Sequence, residues 1–245
     1  MSVQLSVVIP CWNDAAALRT ILAALRGLRG IHEVIVADAT TGDECRAIAA
    51  DAGAHIAHCP QPNRGAQMNA GAALATGGAL LFQHADTEIT QPHIDTLLAA
   101  MRDPGTIGGA FHRHYDGRHA GLGWMQHVTR AWNAHGGTLY GDQSIFIRRA
   151  AFGQLGGFAE IPLMEDVEFS RRLRRAGRTV VLDPPIATSP RHHTRRGAWR
   201  TTARNATMLA LFRLGISPHR LHAWYYRDFA DSPSPAAAAS VTTDP

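Results

Sequence analysis

The chain has 245 residues, 45% of them hydrophobic and 18% charged, and a formal charge of +4. This composition fits a globular protein with room for a sizeable core, and the charge is too small to argue for nucleic acid as a partner. All 24 basic residues are arginine, the better fork for phosphate and carboxylate, which suits a phosphorylated ligand or an anionic membrane surface.

Strands and helices alternate through the first hundred residues. LSVVIP (5–10) is a short β-branched strand ended by proline. Asn13 or Asp14 can cap a helix over 15–28, with Leu18, Ile21, Leu22 and Leu25 on one face. EVIVAD (33–38) is a second strand, 43–52 a short helix and 54–57 a third strand. A small-residue helix over 65–75 precedes a fully apolar fourth strand, 79–82. Strands and helices at this spacing imply βαβ units and a mostly parallel sheet. Further on, the pattern predicts a helix over 92–101, a strand over 108–116, a helix over 122–135 and a strand over 143–149. It then predicts a helix over 165–176 opened by acids and closed at Gly177, a strand over 178–182 and an amphipathic helix over 198–214. Residues 231–245 are low in apolar bulk and rich in proline and serine, which predicts a disordered tail.

Cys11, Cys45 and Cys59 have no paired spacing, so a disulfide framework and a thiolate zinc site are not expected, and a reduced cytoplasmic setting is. No apolar run approaches the roughly 20 residues that span a bilayer. Contact with a membrane is expected to be peripheral at most, through the arginine-bearing helix 198–214. Trp124 and Trp132 are expected in the core.

Four strand or helix ends collect polar groups: Pro10–Asp14, Asp38–Thr40, His84–Asp86 and Glu165–Asp166. In a parallel sheet, ligands bind outside the carboxyl ends of the strands, so the first three would share one rim. That rim could hold a nucleotide, with Trp12 packing on the base and Asp38 accepting from a base N–H or a ribose hydroxyl. Asp86 could bind a divalent cation bridging two phosphates, and Arg64, at a helix start, could meet the diphosphate. No P-loop and no G-x-G-x-x-G is present, which disfavours an ATPase or a Rossmann dehydrogenase. Glu165 and Asp166 could be functional or could merely open their helix and pair with Arg171 and Arg172. Asp142, just before a strand, could hold hydroxyls of a ligand, or make an Asx turn.

SVVIPCWND, EVIVADATTGD, NRGAQMNAG, LLFQHADTE and LMEDVEFSRRLRRAG, in this order, resemble the family 2 glycosyltransferases of the GT-A fold over roughly residues 5–185. The nearer likeness is to a short bacterial subgroup of transferases associated with radical-SAM and selenium-related genes. The resemblance implies a GT-A-type α/β domain over 1–230, with a nucleotide-binding half (1–103) and an acceptor half (104–230). It also implies a hexosyltransferase-type activity drawing on a nucleotide-sugar donor, most often UDP-linked, with a small-molecule, lipid or glycan acceptor. By position, Pro10, Trp12 and Asn13 would hold the nucleobase and Asp38 the uracil or ribose. Arg64 and Asn69 would lie on the donor side. His84, Ala85 and Asp86 would form the diphosphate corner, with Mn²⁺ or Mg²⁺ on Asp86. Asp166, beside Glu165, would be the general base, giving inversion at the sugar carbon.

Two positions depart from the family pattern. Ala39 replaces the second acid after the second strand, and His84 replaces the first acid of the D-x-D signature. Imidazole suits Mn²⁺ better than Mg²⁺, or could donate to a phosphate instead. His192 or His193 could complete a metal shell. The rival readings are a nucleotidyltransferase, disfavoured because IPCWND stands where a glycine-rich loop would be, and a non-catalytic binding protein of the same fold.

Overall fold

In β1 (Leu5–Cys11), alternate side chains go to opposite faces of a sheet and both faces are covered. Leu5, Val7, Ile9 and Cys11 join one core cluster, and Val8 joins the other. The computed structural model describes residues 3–85, 87–114, 130–132, 136–187 and 198–230. Its other strands are β2 (Ile31–Asp38), β3 (His55–His58), β4 (Ala79–Phe82), β5 (Thr106–His114), β6 (Phe146–Arg148) and β7 (Arg178–Ala187). They form one seven-stranded sheet in the order β3-β2-β1-β4-β6-β5-β7. β6 runs antiparallel to β4 and β5, and the other pairs are parallel.

Helices cover both faces. α1 (Ala15–Arg26), α2 (Glu44–Asp51) and α4 (Gln91–Ala100) pack Leu18, Ile48 and Ile94 into one cluster. α3 (Arg64–Leu74), α5 (Arg149–Gln154) and α6 (Glu165–Ala176) pack Met68, Phe152 and Phe169 into the other. The small residues of α3 let it approach the sheet closely. A Cβ on Gly71 would stand 2.4 Å from Val8 Cγ1. Phe158 bridges β4 to α6, with its ring 4.8 Å from Phe82 and 4.2 Å from Phe169. That contact fixes the start of α6 at the sheet's rim.

The expected elements of the first hundred residues form within one or two residues of their expected ends, as do the helices expected over 165–176 and 198–214, and other later elements differ for local reasons. β6 is shorter than 143–149 because Gly141–Gln143 makes a 3-10 turn and Ser144 takes φ 51°. β7 continues past 182 through Pro184 and Pro185, which an edge strand tolerates because its outer N–H groups need no partner. α5 was not expected, being six residues long and containing Gly153. α8 (Pro218–Ala230) was not expected either, although Pro218 occupies its first position, where proline is favoured.

α7 (Ala198–Arg213) buries Met208, while Leu214 is 80% exposed. Trp132 is 48% exposed rather than in the core, with the Arg213 guanidinium 5.7 Å from its ring. Of the helix expected over 122–135, residues 130–132 are helical and the rest, with Trp124, lies outside the described residues. The tail 231–245 also lies outside them. The three cysteines are free and buried. No helix among the described residues is long and apolar enough to cross a membrane.

Candidate active site

The carboxyl ends of β1, β2 and β4 are neighbours, with Cys11 registered on Asp38 and Val8 on Phe82. Pro10 is half-buried one residue before the end of β1, and Trp12 follows the strand with more than half its surface exposed at the rim. The Asn13 backbone N–H donates to Thr40 Oγ1 at 3.0 Å, which ties the β1 and β2 ends together. Asp14 caps α1 by accepting from the Ala17 N–H. Asp38 is fully buried. Its Oδ1 accepts the Thr40 N–H at 3.0 Å, and its Oδ2 lies 3.9 Å from Arg46 Nε.

The starts of α3 and α6 meet. Arg64 Nη1 donates to Glu165 Oε1 at 3.2 Å. Glu165 is 3% exposed, and burial, followed by the charge of Asp166, pushes its carboxyl above the ordinary range while Arg64 pulls it back. Glu165 therefore faces Arg64 rather than solvent. The pairing expected with Arg171 and Arg172 belongs instead to Glu168, one turn later. Asn69 is also committed to the frame: its Nδ2 donates to Phe158 O at 2.9 Å and its Oδ1 accepts the Phe158 N–H at 2.8 Å.

Asp166 is half-buried, and its Oδ2 accepts the Gly141 N–H at 2.8 Å. The His84 ring reaches the same glycine. A Cβ at position 141 would stand 2.8 Å from His84 Nε2 and 3.5 Å from Asp166 Oδ2. Gly141 thus lets the β4 end and the α6 start converge, which no larger residue would permit. Asp142, next in the turn, pairs with Arg113 of β5, whose guanidinium lies 5.3 Å from the Tyr140 ring centroid. Ala85 is half-buried beside His84. Asp86 and His193 lie outside the described residues.

Among the described residues, three that are not glycine take positive φ: Asn13 (51°), Ser144 (51°) and Met164 (70°). They follow β1, precede β6 and precede α6, so each stands where the chain delivers a polar residue to this rim. Strain of this kind, of order 1–3 kcal/mol per residue, persists where the surroundings over-determine it, as at functional sites.

Several supporting residues carry no sequence signal of their own. Gln67 Nε2 donates to Cys11 O at 2.7 Å and Ala37 O at 2.9 Å, fastening β1 to β2 at the rim. Gln83 Nε2 donates to Thr87 O and His84 O, and its Oε1 accepts from Ser144 Oγ at 2.7 Å. That amide ties the His84 and Thr87 carbonyls together just after β4. These are buried amides within apolar elements, where periodicity marks only what surrounds them.

Among the described residues, one group of three ligand-type side chains converges: Cys11, Asp38 and Cys45, all buried, with donor atoms within 4.8 Å of one another. Burial and a hydrogen bond with Cys45 push the Cys11 thiol up to about 12. Two soft thiol ligands suit neither Mg²⁺ nor Mn²⁺. An imidazole at His84 with a carboxylate two residues on suits Mn²⁺, so the end of β4 has the better donor chemistry for that ion.

The sequence profile of glycosyl transferase family 2 matches residues 6–152, more than half of the chain. The chain belongs to that family. The match runs from β1 into α5 and stops before Asp166. A pre-mycofactocin glycosyltransferase of Mycobacterium tuberculosis is 28% identical over 215 residues, which cover 80% of this chain and 44% of that protein. The chain thus spans less than half of that relative's length. Among solved structures, a mannosyltransferase from Pyrobaculum calidifontis in complex with GDP-Man and Mn²⁺ superposes with a TM-score of 0.63 at 18% identity, covering 99% of this chain and 79% of that one. Glucosyl-3-phosphoglycerate synthase from M. tuberculosis, in complex with Mn²⁺, UDP and phosphoglyceric acid, gives 0.59 at 19% identity, covering 87% and 79%. The two solved neighbours agree with the GT-A-type arrangement of strands and helices.

Proposed function

We propose that this family 2 chain transfers a sugar from a nucleoside-diphosphate donor, UDP-linked, to an acceptor hydroxyl with inversion. The observation that carries the reading is the convergence on Gly141, where Asp166 Oδ2 is held at 2.8 Å and the His84 ring closes the other side. A carboxylate fixed at a rim, opposite the corner where a diphosphate would leave, has the geometry of a base for in-line displacement. Solved neighbours that hold GDP-Man, or UDP with Mn²⁺, support a nucleotide donor here.

Residues take the following roles. The exposed indole of Trp12 stacks on the nucleobase, while Pro10 and Asn13 shape the wall behind it. Asp38 acts from beneath that wall by holding Thr40, whose hydroxyl fixes Asn13. Arg64, oriented by Glu165, stabilises the leaving diphosphate. Asp166 takes the proton of the acceptor hydroxyl. Asp142 and Arg113 form the acceptor-side wall. His84 and Asp86 would hold a divalent cation, with His193 as a further ligand, and that cation would neutralise charge developing on the diphosphate. The nucleotide half comprises residues 1–103 and the acceptor half 104–230.

A thermal-shift panel of nucleoside diphosphates and nucleotide sugars, with and without Mn²⁺, tests the donor class. UDP or a UDP-sugar should raise the melting midpoint, more so with Mn²⁺. The gain from Mn²⁺ should vanish in Asp86→Ala. A panel in which no nucleotide shifts the midpoint would refute the reading.

A further inference from the structure

A cavity of about 470 Å³ lies along the side of α6. Its walls include Trp132, Phe212 and four arginines: Arg171, Arg174 and Arg175 from α6 and Arg213 from α7. The described residues that line it include no carboxylate. On α6, positions 167, 170, 171, 174 and 175 face the cavity, which is the i, i+3, i+4 stripe of one helix side. The opposite side, with Phe169 and Leu173, is in the core.

Two of the guanidinium groups are oriented by neutral oxygens. Arg174 Nη1 donates to Thr179 Oγ1 at 3.0 Å, and Arg213 Nη2 donates to Thr138 Oγ1 at 3.1 Å. The Thr138 hydroxyl fixes the Arg213 fork without cancelling its charge. Arg171 lies 3.7 Å from Glu168 at the exposed margin. Burial lowers the Arg174 guanidinium from its ordinary value, a direction that a bound anion would reverse. Arginines at the end of α6 also suit its dipole, but that effect needs neither a cavity nor the contribution of Arg213 from another helix.

We propose that this cavity binds an organic phosphomonoester, with the phosphate on the arginines and the carbon skeleton against Trp132 and Phe212. The volume is that of a small-molecule site. A carboxylate has two oxygens and is satisfied by one fork, whereas a phosphomonoester has three terminal oxygens and carries about −1.5 to −2 charge at neutral pH, which four forks can share. The aromatic walls favour a ligand with an apolar portion over inorganic phosphate. This site does not depend on the transferase reading, because none of its arginines belongs to the diphosphate corner.

Titration calorimetry with phenyl phosphate, and with inorganic phosphate beside it, tests the proposal. Phenyl phosphate should bind the full chain more tightly than inorganic phosphate. Arg171→Gln/Arg175→Gln, two exposed positions that cost little to replace, should weaken it at least tenfold with the melting midpoint nearly unchanged. Arg213→Gln should weaken it as well, and Arg64→Ala should not, which separates the cavity from the diphosphate corner. Cosedimentation with phosphatidylcholine vesicles containing phosphatidic acid identifies the source of the phosphate. Vesicle binding that the double variant loses and phenyl phosphate competes away assigns a lipid headgroup, and phenyl phosphate binding without vesicle binding assigns a soluble ligand. The proposal is overturned if neither phenyl phosphate nor the vesicles bind the folded chain, or if the arginine variants bind as the wild type does.

Discussion

Gly141 has no side chain of its own, yet it sets how closely the His84 and Asp166 side chains approach. Its N–H holds Asp166, and its missing Cβ makes room for His84. Gly141→Ala should therefore keep the fold but displace the His84 ring, lowering turnover by roughly 10–100-fold, as small misplacements of reacting groups do. Steady-state kinetics beside a melting curve would check this. Arg64 poses a different test. Removing its guanidinium leaves Glu165 buried next to Asp166. The folded carboxyl of Glu165 lies above its ordinary value of 4.5, so it is protonated at low pH and costs little there. It becomes a buried charge without its arginine as pH rises through that raised value. Arg64→Ala should thus lose more thermal stability at about pH 8 than at about pH 5, and the gap to wild type should narrow on acidification.

At the scale of elements, the turn that feeds β4 depends on Glu33 of β2. Its Oε1 accepts from Ser6 Oγ in β1, from the Thr76 N–H and hydroxyl, and from the Gly77 N–H. Burial alone would push this carboxyl up, but those hydrogen bonds outweigh it and bring it from 4.5 down to about 2. Its folded value is thus depressed, so its stabilisation is present above 4.5 and is lost as pH falls through about 2. Glu33→Gln should lower the melting midpoint by roughly 2–8 °C near neutral pH, with the difference closing below 4.5, as differential calorimetry across pH would show.

The elements themselves were largely legible. Apolar runs bounded by glycine, proline and cap residues set β1 to β4 and α1 to α4 to within a residue or two, because in a two-sided sheet burial follows those runs directly. The second half was less legible for physical reasons. β7 survives two prolines because it is an edge, and β6 is cut short by a strained turn at Ser144. The polar residues of the rim could be named from their strand ends, but their partners could not. Asn69 reads like a ligand residue and is a strut to Phe158. Glu165 reads like half of a catalytic pair and is the holder of Arg64. Gln67, Gln83 and Gly141 carry no pattern at all, since their roles arise only when distant segments meet.

Across the whole molecule, the rim at the strand ends and the arginine cavity beside α6 lie at different places along one helix. Asp166 stands in its first turn and Arg175 in its last. The sheet supplies the nucleotide side, and α6 links it to the cavity. For the family 2 transferase reading, the most direct measurement is release of the nucleoside diphosphate from a UDP-sugar in Mn²⁺, comparing wild type with Asp166→Asn and measuring UDP binding on both. The prediction is that wild type releases UDP, that Asp166→Asn binds UDP as tightly, and that its release rate falls by about 10²–10⁴-fold. Release at the wild-type rate from Asp166→Asn would contradict the role given to this carboxylate.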